Sequence, residues 1–145
     1  MENQTKKILI IEDEKPMAKA LELKLNHSGI AVKVAFDGAE GLEVLTKEKF
    51  DLVLMDLIMP KMDGFHILAE LKKREDKTPI IVLSNLSQEE DLKRAQEFGI
   101  RDYFIKSDIS INDLVEHVKK LLSATTGIQP AETIYNHPES QTLAK

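Results

Sequence analysis

The sequence predicts an α/β protein built on a doubly wound parallel sheet, and three observations carry that prediction. Apolar runs of strand length, rich in Ile and Val, alternate with longer stretches of helical period. The runs KILII, DLVLM, PIIVL and DYFI are nearly continuous in apolar character, as expected of strands covered on both faces. Where each run stops, a polar residue stands: Glu12 with Asp13, then Asp56, Ser84 and Lys106. In a parallel sheet the carboxyl ends of the strands share one edge, so residues far apart in the chain are expected to meet in one crevice there.

Each element has its own signal. The first strand is expected near Lys7 to Glu12. The helix after it starts at Glu14 or Lys15, tolerates Pro16 in its opening turn, and turns Met17, Leu21 and Leu25 to one face before Gly29 closes it. A second strand over Ala31 to Phe36 leads to a helix from about Gly38 to Lys47, with Ala39, Leu42 and Leu45 inward. The third strand, Asp51 to Met55, precedes a helix opened by Gly64, in which Ile67, Leu68 and Leu71 form a stripe and Lys72, Lys73 and Arg74 suit the negative end. After a fourth strand over Pro79 to Leu83, Ser87 to Glu90 reads as a capping box for a helix ending at Phe98 and Gly99. The fifth strand, Asp102 to Ile105, is followed by a helix capped near Ser110, with Leu114, Val118 and Leu121 at helical spacing. Residues 1–123 thus read as one domain. Residues 124–145, rich in Pro, Thr, Gln and Ser, read as a flexible tail.

Composition excludes several classes. A chain of 145 residues can bury roughly 70% of its unfolded surface, enough for one real core. With 20 Lys and Arg against 25 Asp and Glu, the net charge of −5 argues against a direct nucleic-acid partner. The absence of cysteine removes disulfides and thiolate metal sites. The opening MENQTKKILIIEDE is too short in apolar length for a signal sequence or a membrane span, which makes a soluble cytoplasmic protein without membrane partners the expectation. His27, His66, His117 and His137 are scattered and form no ligand pattern; the first three are expected to be solvated or on helix surfaces.

The crevice has a definite chemistry. Ionised carboxylates about 4 Å apart repel by roughly 4 kcal/mol per pair at an effective dielectric near 20, so three of them need a cation, or one must take a proton. Glu12, Asp13 and Asp56 offer hard oxygen ligands without imidazole or thiolate, a set that favours Mg²⁺ or Mn²⁺ over zinc. Lys106 then adds a point charge and Ser84 a donor for an anion beside the metal, which describes a phosphoryl site. Taken singly, each residue has a plainer reading as a turn, a cap or a solvated strand end. Their joint placement at four strand ends is what favours the functional one.

Across about Lys6 to Leu122 the chain resembles the receiver domain of two-component response regulators, through ILIIEDE, DLVLMDLIMPKMDG, IIVLS and GIRDYFIK in that order. The resemblance implies a flavodoxin-like strand order 2-1-3-4-5 and a phosphoryl group accepted on Asp56 from the phosphohistidine of a sensor histidine kinase or phosphotransfer protein. It also implies Mg²⁺ held by Glu12, Asp13, Asp56 and the backbone carbonyl of Ile58, with Lys106 and Ser84 assisting. Tyr103 becomes a switch aromatic that moves into space vacated by Ser84. The fourth helix, fifth strand and fifth helix would then present the surface for a downstream protein, and a homodimer formed on phosphorylation stays open. The expected protein is a stand-alone signalling phosphoacceptor that catalyses only its own phosphorylation and dephosphorylation. The rival is a receiver-like interaction module that never uses phosphate, whose mark would be a lost acid or lysine; none is lost. An aspartyl phosphatase of the haloacid dehalogenase type wants a second Asp where Ile58 stands, and no G-x-G-x-x-G or Walker loop occurs. Two departures from the family pattern are Ser107, where proline is usual after the lysine, and Asn85, where a small residue is commoner and which is expected to crowd or hydrogen-bond the site.

Overall fold

The computed structural model describes residues 5–123, so the tail reading for 124–145 and His137 lie outside the described residues. The elements run β1 (Lys7–Ile11), α1 (Lys15–His27), β2 (Ala31–Ala35), α2 (Gly38–Lys47), β3 (Leu52–Met55), α3 (Gly64–Lys73), β4 (Ile80–Ser84), α4 (Glu89–Gln96), β5 (Asp102–Ile105) and α5 (Ile111–Ser123). All strands are parallel, in the order β2-β1-β3-β4-β5. The chain therefore leaves β1 for one edge and returns past it to β3, which puts the reversal of strand order between β1 and β3. There Ile11 pairs with Met55, so the residues that follow them, Glu12 and Asp56, emerge side by side.

Successive strand residues point to opposite faces, and each face has its own core. Leu9, Ile11, Val53, Met55, Val82 and Tyr103 pack under α2, α3 and α4. Ile8, Ile10, Leu54, Ile81, Leu83 and Phe104 pack under α1 and α5, against Leu21, Leu25, Leu114 and Val118. Three helices carry the side-chain caps their sequences suit: Asp37 accepts from the Glu40 N–H at 2.8 Å, Asp63 from His66 at 3.0 Å and Ser110 from Asp113 at 3.0 Å.

Three expectations need correction. The buried face of α2 is Gly38, Gly41 and Leu45, while Ala39 is exposed. Here the helix approaches the sheet too closely for side chains: a Cβ on Gly41 would lie 2.6 Å from Ile11 Cδ1. The capping box at Ser87 does not form, because α4 starts a residue late with Gln88 in the cap position and no side-chain cap bond. Glu89, Glu90 and Asp91 in its first turn complement the helix dipole instead, and the helix stops at Gln96, short of Phe98. His117 is half-buried, its Nε2 2.6 Å from Oδ2 of Asp102 and its ring edge-on to Phe104 at 4.9 Å. A carboxylate as enclosed as that of Asp102 requires such partners, and the neighbouring inward Leu114 and Val118 bring the imidazole to it. Asn85, which follows β4, is exposed.

Candidate functional site

The ladder between strands continues one step beyond the strand ends. Glu12 N–H donates to Ala35 O and Asp56 N–H to Ile11 O, both at 3.0 Å, which draws both residues into the body of the protein. Both are buried and Asp13 is half-buried; one carboxylate oxygen from each of the three lies within 4.8 Å of the others. Lys106 reaches over from the end of β5, its side chain 6% exposed. Its Nζ lies 3.0 Å from Asp56 Oδ2, 3.0 Å from Glu12 Oε1 and 3.2 Å from Glu14 Oε1. The peptide bonds of the described residues are all trans, and after Lys106 the chain forms a 3-10 turn over Lys106–Asp108 in place of the proline geometry.

Charge in this crevice is not balanced. Burial opposes the Lys106 ammonium, but hydrogen bonds to Asp56 and Glu12, with their charges, outweigh it and raise its pKa above the usual 10.5. For Glu12 burial is the largest influence and raises its pKa from 4.5; the Glu14 N–H and Lys106 pull it down, and the Asp56 charge pushes it up again. One ammonium, bonded to Glu12, Asp56 and Glu14, stands against three clustered carboxylates and a fourth at the margin. Net negative charge remains, and an all-oxygen donor set of this kind fits a hard divalent cation.

The loop after Asp56 is folded tightly. Ile58 N–H donates to Asp56 Oδ1 at 3.2 Å and Gly64 N–H to Leu57 O at 2.8 Å. A Cβ at Gly64 would stand 2.7 Å from Asp56 O, so only glycine lets α3 start this close to the strand end. The far side of the loop rests on α2: Lys61, at φ 72°, places its Nζ 3.5 Å from Asp37 Oδ2, and a Cβ on Gly38 would lie 1.8 Å from Met62 O. The Ile58 side chain is 56% exposed at the rim.

Ser84 and Tyr103 form a second cluster beside the first. Ser84 is fully buried and its Oγ accepts the Leu86 N–H at 3.3 Å, while the Tyr103 hydroxyl donates to Leu86 O at 2.7 Å. Tyr103 is itself fully buried; burial, with the charge of Asp91 added, raises its pKa above the usual 10.0. Leu86 is thus the shared anchor of both side chains. Of the residues expected from sequence, Glu12, Asp13, Asp56 and Lys106 come together in one cluster, and Ser84 with Tyr103 in the other. Glu14 was expected only as a helix start, yet its carboxylate reaches Lys106. The signal was the third acid of Glu12-Asp13-Glu14.

Comparisons with known proteins agree with this geometry. Residues 8–119 match the response regulator receiver domain family. The chain is 34% identical over 116 residues to the response regulator ArlR of Staphylococcus saprophyticus, an alignment covering 80% of this chain and 52% of that protein. It therefore spans about half the length of the curated relatives it matches. Among solved structures, the receiver domain of Francisella response regulator 1452 superposes with a TM-score of 0.78 at 34% identity, covering 84% of this chain and all of that one. The DrrB receiver domain described as BeF3 activated superposes with a TM-score of 0.72 at 28% identity, covering 83% and 99% of the two chains. Among the described residues no helix is long and apolar enough to cross a membrane. The acidic crevice at the β1/β3 reversal, the strand order and these matches over most of its length lead to one conclusion: the chain belongs to the response regulator receiver domain family.

Proposed function

We propose that Asp56 accepts a phosphoryl group from the phosphohistidine of a sensor histidine kinase or phosphotransfer protein, and that this modification resets a protein-interaction surface. The observation that carries the reading is Lys106 Nζ, held 3.0 Å from both Asp56 and Glu12 in a crevice with an excess of carboxylates. Glu12, Asp13 and Asp56, with the Ile58 carbonyl, would hold Mg²⁺, which supplies positive charge against the phosphoryl oxygens. A carboxylate oxygen of Asp56 attacks phosphorus in line as the P–N bond breaks, and the electron pair leaves with the imidazole. Lys106 steadies the charge on the transferring group without having to move from its buried position.

Ser84 links the site to the surface. Its Oγ accepts from Leu86, and its single O–H, which also meets the Tyr103 hydroxyl, would turn to donate to a phosphoryl oxygen. A shift of Ser84 toward the phosphoryl group would pull on Leu86 and, through the Leu86 carbonyl, on Tyr103. Tyr103 already lies inward, so the change would begin in the segment between β4 and α4 and spread to the face of α4, β5 and α5, where a downstream protein docks. Incubation with a small acyl phosphate and Mg²⁺ followed by intact mass measurement tests the reading. Wild type should gain one phosphoryl group and Asp56→Ala none. A wild-type chain that keeps its starting mass would instead support an interaction module independent of phosphate.

A further inference from the structure

We infer that Glu14 is a displaceable placeholder on Lys106, occupying the position that a phosphoryl oxygen must take, and thereby sets how readily Asp56 is phosphorylated. The inference rests on the phosphoacceptor reading above. An ammonium has three N–H donors. In this structure Lys106 spends all three on carboxylates: Glu12 at 3.1 Å, Asp56 at 3.0 Å and Glu14 at 3.2 Å. While Asp56 is still ionised, an incoming phosphoryl oxygen can therefore bond Lys106 only if one of these carboxylates yields its place.

The structure distinguishes which one yields. The side chains of Glu12 and Asp56 are 3% and 7% exposed, and each is also held by a backbone N–H, from Glu14 at 3.0 Å and Ile58 at 3.2 Å. Glu14 is 57% exposed, and among the described residues no other hydrogen bond or ion pair engages its carboxylate. Its backbone sits at the N-cap of α1 without using the side chain as a cap, so the carboxylate can swing into solvent while the helix start stays in place. Glu14 is thus a positioning residue that acts through Lys106. Once displaced, it stays near the new dianion and repels it, which disfavours the phosphorylated form.

The test compares wild type with Glu14→Gln, which keeps the size and removes the charge. With acetyl phosphate and Mg²⁺, Asp56 takes the phosphoryl group as the P–O bond to the acetyl carboxylate breaks and acetate leaves with the electron pair. Glu14→Gln should be phosphorylated faster by about twofold to fivefold, the range that exposed ion pairs carry. It should bind beryllofluoride more tightly by a similar factor. Both differences should shrink at high salt, because they arise from charge at an exposed position. A role confined to folding would move neither ratio with salt, and urea unfolding of the two chains should nearly coincide. Equal or slower phosphorylation of Glu14→Gln, with both chains gaining mass, overturns the placeholder alone, as does an advantage undiminished by salt. No mass gain in wild type overturns the functional reading and the inference with it.

Discussion

Asp13→Asn should make the metal-free protein more stable and remove most of its response to magnesium. The ligand oxygens of Glu12, Asp13 and Asp56 lie within 4.8 Å of one another, and two ionised carboxylates at that separation repel by about 3.5 kcal/mol at an effective dielectric of 20. Asp13 faces two such neighbours, but Lys106 bonds both of them and offsets much of the repulsion. Asp13 is also half-buried, so water screens what is left. A net gain of about 1 kcal/mol on removing the charge is the reasonable magnitude, because the unfolded chain does not hold the three acids together. In EDTA the urea midpoint of the variant should rise by about 0.3–1 M with an unchanged slope. Magnesium at about a hundred times its dissociation constant should add roughly 2.7 kcal/mol to wild type and little to the variant, so the order of stability reverses. A variant less stable than wild type in EDTA, or equal stabilisation of both chains by magnesium, would refute the electrostatic account of the crevice.

Two further outcomes follow from neighbouring geometry. Gly38→Ala places a methyl where Met62 O stands, and a backbone carbonyl cannot rotate aside; overpacking of about 1–3 kcal/mol, eased by about 1 kcal/mol of helix propensity, should lower stability. Because that loop also follows Asp56, calorimetric magnesium affinity should fall as well, and a variant that melts and binds like wild type would show that the loop does not depend on α2. At high pH both Lys106 and Tyr103 have folded-state pKa values above their usual 10.5 and 10.0. The Lys106 contribution is complete below pH 10.5 and lost as pH rises through the folded value, while above pH 10.0 the unfolded chain ionises its tyrosine first, so stability should decline in that window. Tyr103→Phe should flatten the decline measured by urea unfolding between about pH 10 and 11, and parallel curves would count against a buried neutral phenol.

Much of the site was legible because a parallel sheet brings the ends of its strands to one edge. Glu12, Asp13, Asp56 and Lys106 stand at the ends of apolar runs, and that placement needs no knowledge of which strands touch. The errors share a cause. Ala39 fitted the apolar period of α2, but the inward face is set by how closely the helix can approach Ile11, which favours Gly38 and Gly41. Ser87 had capping chemistry one residue away from where α4 begins. His117 read as surface because its partner, Asp102, is the first residue of a strand and meets it only when α5 packs on the sheet.

Residue types and their periods alone established the β-α alternation and the kinds of chemistry at the strand ends; the family resemblance supplied the order of the strands. Folding in three dimensions decided that Glu12 and Asp56 share one ammonium, and that Glu14 takes its third N–H from 92 residues away. The physical reason is that a charge is tuned by whatever lies within a few ångströms of it, and such distances between remote residues are created only when the sheet assembles.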